Sequence, residues 1–276
     1  MECDAAWWVM TMGTLRNVMW CLVVMLAPYS LAQESDRIKI AEGEYMVSEQ
    51  GDFGIGPPET EIFHLRESWT LWRTPGGSYE VEGERSFDSP RDTPHVNSFS
   101  IQLTHDLRVT KMTEFAQLNF RRDSGPLTCD FLTNELRCSS GARDPAHGVD
   151  LDFEIDRPYG FIWPISAFSL ASLVHEAGET KGRKVPVEVL SLEELNPVLP
   201  VLSVCAYGFV TYLGDSETPY VLPNQSWRPH VYELDAGPIR KMFIWTSPEG
   251  IVLAAERPGW PKGRMQLVRF VKFNDF

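Results

Sequence analysis

Apolar and polar residues alternate one by one along much of this chain. Residues 149–156 (VDLDFEID) show it most cleanly: Val149, Leu151, Phe153 and Ile155 fall on one face, and Asp150, Asp152, Glu154 and Asp156 on the other. A period of two sends successive side chains to opposite faces of a pleated strand, so one face meets a core and the other water, as in an antiparallel sheet. Residues 59–74 and 78–87 flank Pro75-Gly76-Gly77, a hairpin signal. Strands are also expected over 97–109, 112–122, 185–190, 201–213, 227–234, 239–246, 251–256 and 264–273, with turns at Asp123-Ser124-Gly125-Pro126 and Ser247-Pro248-Glu249-Gly250.

One stretch leaves this period. After Pro164, Ile165, Phe168, Ser172 or Leu173, and His175 recur at helical spacing as far as Gly178. Proline suits the first turn of a helix and glycine its left-handed stop, which predicts a helix near 164–178. Neither a repeat of 20–50 residues nor a low-complexity linker divides the chain. The pattern predicts a mainly β protein: one β-rich domain over residues 33–276, with a single helix inserted near its middle.

The N-terminus is different again. Residues 18–27 (VMWCLVVMLA) are apolar, follow Arg16, and precede Ser30-Leu31-Ala32, a small-x-small cleavage pattern. This reads as a signal peptide over 1–32, cut near Ala32, because about ten apolar residues fall short of the roughly 20 that span a bilayer. Translation from Met1 or from Met12 fits equally, the second giving a more basic start. The expected location is periplasmic or extracellular, with no membrane span left after processing. Cys21 lies inside the apolar run and Gln33, not a cysteine, stands directly after the cleavage site, so a lipidated N-terminal cysteine is not expected.

Export bears on the three remaining cysteines, since disulfides persist in oxidising compartments. Cys129 and Cys138 flank Thr133-Asn134. If those two residues form the hairpin turn, 132 faces 135 in a hydrogen-bonded pair and 129 faces 138 in a non-hydrogen-bonded one, with Cα atoms about 4.5 Å apart. That separation lies in disulfide range and predicts a Cys129–Cys138 bond. The turn lacks the usual glycine, and another turn length would leave two free thiols. Cys205, in the apolar run 198–210, reads as a buried unpaired thiol.

The formal net charge of −13, about −12 after loss of the leader, repels phosphate backbones and anionic headgroups; nucleic acid is excluded as a partner class. The densest basic cluster, Lys181-Gly182-Arg183-Lys184, is flanked by Glu176, Glu179 and Glu188. No metal-ligand spacing, nucleophile motif, P-loop or dinucleotide fingerprint is present, so no cofactor, metal or catalytic residue is assigned. Gly54-Ile55-Gly56-Pro57-Pro58 is a loop. The carboxylates at 150, 152, 154 and 156 suit a solvated strand face better than a calcium loop, which wraps its ligands around the ion, or a glycosidase pair. Asn224-Gln225-Ser226 matches a glycosylation sequon, relevant only in a eukaryotic host. The terminal Phe276 lacks the lipid-facing alternation of an outer-membrane barrel strand. Six tryptophans lie beyond the leader; Trp69, Trp72 and Trp245, with Phe168 of the helix, are the candidates for an aromatic ligand surface, against the alternative that they fill the core.

The order of elements resembles a family of exported bacterial envelope proteins of unknown function, related to periplasmic lipoprotein-carrier half-barrels. Three places carry the likeness: Gly43-Glu44-Tyr45-Met46-Val47 leading to Phe53-Gly54-Ile55-Gly56, the helix after Trp163-Pro164, and the close from Trp245 to Leu253 followed by Gln266-Leu267-Val268-Arg269-Phe270. The resemblance implies a large antiparallel sheet curled into a half-barrel or open barrel around a helix, with an apolar concavity. It brings no functional residues. The leading expectation is a non-enzymatic protein that binds an apolar or amphipathic envelope molecule: a lipid, a lipoprotein acyl chain or a glycolipid. A secreted glycan-acting hydrolase and a scaffold module for an envelope protein complex are the alternatives.

Overall fold

The computed structural model describes residues 36–50, 62–88, 95–115, 127–133, 135–140, 150–154, 159–163, 167–196, 199–236, 241–258 and 262–276. The leader and its cleavage site, the 54–58 loop, the 123–126 turn and Pro164 lie outside them, as do the side chains of Trp163, Cys205 and Trp260. Compactness separates residues 1–38 from residues 39–276, and the second unit holds the sheet and the helix.

The strands, in chain order, are β1 (Ile38–Gln50), β2 (Ile62–Arg73), β3 (Tyr79–Asp88), β4 (His95–Leu103), β5 (Val109–Phe115), β6 (Leu127–Phe131), β7 (Glu135–Ser140), β8 (Asp150–Glu154), β9 (Tyr159–Trp163), β10 (Lys184–Asn196), β11 (Leu199–Asp215), β12 (Tyr220–Leu222), β13 (Gln225–Trp227), β14 (His230–Asp235), β15 (Lys241–Thr246), β16 (Val252–Arg257) and β17 (Lys262–Lys272). Among the described residues one helix, α1 (Ala167–Ala177), lies between β9 and β10. Fifteen strands form one sheet in the order β8-β7-β6-β5-β4-β3-β2-β1-β17-β16-β15-β14-β11-β10-β9, and β12 and β13 form a separate ribbon. The sheet is not closed, and its edges are β8 and β9. The fold of the described residues is therefore mainly β, a large antiparallel half-barrel with one helix.

Local sequence explains most of these elements. Along β2, Leu65, Glu67, Trp69 and Leu71 are buried while Arg66 and Ser68 are exposed, the period-two pattern in three dimensions. Gly77 takes φ 81° in the 75–77 turn, where Arg73 pairs with Tyr79. Gly178 takes φ 58° just past the end of α1 and supplies the left-handed stop. Cys129 pairs with Cys138 in register and is disulfide-bonded to it, with a Cα–Cα distance of 4.1 Å; Leu132 N–H donates to Glu135 O at 2.8 Å, as the hairpin count requires.

Three expectations change. The strand expected over 97–109 ends at Leu103, because Thr104 to Arg108 make a tight turn in which Leu107 takes φ 63° and Thr104 N–H donates to Arg108 O at 2.9 Å. The strand expected over 227–234 is interrupted before His230, where Pro229 has no N–H to give a ladder; residues 225–227 pair instead with 220–222. In the otherwise antiparallel sheet, β9 pairs with β10 in parallel, which α1 makes possible as the crossover connection.

Helix α1 packs on one face of this sheet, against β5 on one side and β9, β10, β11, β15 and β16 on the other. Ser172 Oγ accepts the Val109 N–H at 2.9 Å, Glu176 pairs with Arg108 at 2.7 Å, and His175 lies 3.1 Å from Asp106. The helix thus ties strands from both halves of the sheet order. One continuous core spans Ile40, Leu71, Val81, Ile101, Leu173, Val187, Val210, Leu234, Ile244 and Leu253.

Candidate functional site

On the face that meets α1, a row of alternating aromatic and glycine positions crosses five strands. Phe270 pairs with Gly43, and Trp69 pairs with Gly83, which pairs in turn with Phe99. The Trp69 indole lies over Gly43, and the Phe99 ring over Gly83, so closely that a Cβ at either glycine would collide with the ring. An aromatic ring laid over a neighbouring glycine lets a sheet bend sharply while staying packed. Phe168, at the start of α1, meets Trp69 edge-on at 5.2 Å; Phe270 and Tyr45 lie 6.1 and 6.0 Å from it. Trp227 of the small ribbon caps Phe270 edge-on at 5.4 Å.

Of the expected ligand residues, the structure therefore brings Trp69 and Phe168 together, each 3% exposed, inside the core. They fill the concave side rather than line a hollow. Trp72 alternates to the opposite face of β2, and Trp245, at the alternate parity to the buried Met242 and Ile244 of β15 and 6.3 Å from Phe243, is half-buried and packs against the core.

Sequence reasoning missed the charged pair in this core. Glu67 and Arg85 face each other across β2 and β3, with Arg85 Nε 2.8 Å from Glu67 Oε2 and both side chains at most 2% exposed. Arg85 also stacks over Phe99 at 4.6 Å, and buried Asn97 pairs with it from β4. Burial in the field of Glu67 pushes the Tyr45 phenol well above its usual range, so its hydroxyl keeps its proton and donates to Val252 O at 2.8 Å. Inward-facing charges at strand positions 67 and 85 were the signal available.

The opposite face carries a groove of about 420 Å³, lined by Glu42, Glu44, Glu82, Glu84, Ser68 and Arg269 among others. Its lining mixes these polar groups with Gly43, Trp69, Gly83 and Phe99, and it is open to solvent. Lys39 and Arg269 hold the Glu42 carboxyl below its usual range, and Arg66 pairs with Glu44 at 3.1 Å. A general acid in a glycosidase needs a raised carboxyl pKa, the reverse of the shift at Glu42.

A second polar cluster joins β11 and β14. Gly214, at φ 114°, sits in an irregularity of the β11–β14 register that brings Asp215 onto the face of Tyr212. The Tyr212 hydroxyl donates to Asp215 Oδ1 at 2.6 Å, and His230 Nδ1 lies 2.9 Å from the same oxygen. These contacts hold the Asp215 carboxyl below its usual range, and burial together with Asp215 pushes the Tyr212 phenol up. Tyr232, 5.2 Å from Tyr212, is pushed up to about 12 by burial.

The outer face of β11 exposes apolar side chains: Tyr207 (63%), Phe209 (47%) and Leu213 (36%). Exposed Lys184 places its Nζ 5.9 Å from the centre of the Phe209 ring, exposed Lys181 reaches over Gly214 next to Leu213, and the exposed Arg183 lies between the two lysines in sequence. Of the acids flanking this cluster in sequence, Glu188 is buried and Glu176 is engaged by Arg108, leaving Glu179 exposed. Among the described residues no group of three or more His, Cys, Asp and Glu could hold a metal ion, and no helix is long and apolar enough to cross a membrane.

These features define a class: an open, helix-filled β half-barrel with the Cys129–Cys138 disulfide and polar or aromatic outer surfaces. No family model and no curated protein matches the chain. Among solved structures it is similar to a β-barrel-like protein of the domain of unknown function DUF1849 from Brucella abortus, at 10% identity and TM-score 0.50, covering 87% of this chain and all of that one. A DUF1089 family protein from Pseudomonas aeruginosa aligns with 66% of this chain and 90% of its own, at 16% identity and TM-score 0.37. The first likeness shows the fold alone.

Proposed function

We propose that this is an exported, non-enzymatic envelope protein that binds an amphipathic envelope component with an anionic headgroup, and that it does so on the outer face of β11. The observation that carries this reading is the exposed Tyr207–Phe209–Leu213 surface with Lys184 at the Phe209 ring and Lys181 over Gly214. The interior is a poor alternative, since α1, Trp69 and Phe168 occupy it. Overall charge does not forbid the contact: at physiological salt the Debye length is about 8 Å, so acids beyond that reach are screened, and of the two acids opposite the patch on β14, Glu233 is engaged by Lys241 while Asp235 stays exposed across from Phe209. Each Lys or Arg near an anionic bilayer contributes about 1 kcal/mol, and burial of one aromatic ring about 1.5–3 kcal/mol. Export is supported by the leader pattern and by the Cys129–Cys138 pair, and the kinship to lipoprotein carriers belongs to the same proposal.

Co-sedimentation of the processed protein with vesicles tests it. Binding to phosphatidylglycerol vesicles that weakens with salt, is absent for phosphatidylcholine, and falls at least tenfold in Phe209→Ser supports the reading. Equal binding by Phe209→Ser, or none to either vesicle, overturns it. The mass of the secreted protein checks export, with Gln33 expected as the first residue.

A further inference from the structure

The two edges of the sheet are joined by very little chain. Strands β8 and β9 occupy opposite ends of a fifteen-stranded order, yet only residues 155–158 connect them. Five Cα-to-Cα steps reach at most about 18 Å, so the end of β8 at Glu154 and the start of β9 at Tyr159 lie within that distance of each other. Among the described residues each edge strand has a hydrogen-bonded neighbour on one side only. An edge strand presents a row of unpaired N–H and C=O groups, a template for one more strand.

Edge strand β8 is held firmly. It pairs with β7 from Glu135↔Glu154 to Ser139↔Asp150, and β7 is cross-linked to β6 by Cys129–Cys138. Its exposed face is unbalanced in charge. Asp152 lies opposite Arg137, at 3.6 Å, but Arg137 already makes two hydrogen bonds to Glu135, at 2.8 and 2.9 Å. Glu154 stands directly opposite Glu135, a like-charge cross-strand pair, which is unfavourable. Among Glu135, Arg137, Asp152 and Glu154 the sum is two negative charges, and both Asp152 and Glu154 are exposed.

We propose that β8 is a strand-addition site for an extended segment of a partner protein in which Lys or Arg at two alternate positions is interleaved with apolar residues. Main-chain pairing to the edge supplies the docking, and the two cations stand opposite Asp152 and Glu154, where they relieve the repulsion with Glu135. A second copy of this chain fits poorly, because antiparallel pairing of β8 with itself sets carboxylates against carboxylates.

The probe is a nonapeptide alternating Lys with Val, read by fluorescence anisotropy, with a Glu/Val nonapeptide as control. Slowed amide exchange at residues 150–154 and binding roughly tenfold weaker for the control are expected. N-methylation of the peptide along one edge abolishes binding, and Asp152→Lys with Glu154→Lys transfers the preference to the Glu/Val peptide. Both positions are exposed, so this variant folds as the parent does; its thermal melt checks that. Binding indifferent to N-methylation, a preference unchanged by the double reversal, no binding, or a β8-dependent dimer of this chain instead, would each overturn the proposal.

Discussion

Breaking the Glu67–Arg85 pair is the sharpest test of how this core is built. At 2.8 Å and an effective dielectric of about 20, the gross attraction is about 6 kcal/mol, opposed by the cost of dehydrating both ions. Glu67→Leu alone leaves the guanidinium buried without its counterion, and Arg85→Met alone strands the carboxylate; each single change should cost about 3–5 kcal/mol. Glu67→Leu with Arg85→Met replaces both charges by apolar groups of similar size beside Phe99, and its stability should return to within about 1 kcal/mol of the parent or exceed it. Urea unfolding of the oxidised protein, followed by tryptophan fluorescence with the slope held constant, measures all four corners of the cycle. Additive losses in the double variant, or a single change costing under about 1 kcal/mol, would refute the claim that desolvated charge, not packing, governs this site.

Other perturbations follow from the same geometry. Replacing Cys129 and Cys138 by Ser removes a cross-link of sequence separation 9, and chain-entropy arguments put the loss at about 2.5 kcal/mol, visible as a lower urea midpoint. Gly43→Ala drives a methyl into the Trp69 ring and should cost about 1–3 kcal/mol; adding Trp69→Leu should recover part of that, checked by thermal melts. Asp215 titrates below the usual carboxylate value because Tyr212, then His230, hydrogen-bonds its charged form, so the stabilisation is complete above about pH 4 and disappears as pH falls through the native value. Tyr212→Phe should raise the Asp215 titration midpoint, read by carboxyl NMR; an unmoved midpoint would contradict the assignment.

The sequence by itself determined the features that depend on local chemistry. Chain counting about Thr133-Asn134 set Cys129 against Cys138, glycine marked the end of α1 at 178 and the hairpin turn at 77, and period-two alternation marked most strands. Each follows from the backbone preferences of a few adjacent residues. The tertiary structure alone decided the rest. The alternation that buries Trp69 also buries Glu67, and only the register of β2 on β3 supplies Arg85 to make that tolerable. Four aromatic residues looked alike as a ligand surface, yet strand parity and the helix bury Trp69 and Phe168, send Trp72 to the other face of β2 and leave Trp245 half-buried against the core. The parallel β9–β10 pair, the short turn at Leu107 and the meeting of Tyr212, Asp215 and His230 depend on contacts between segments distant in sequence, whose free energy no local pattern encodes.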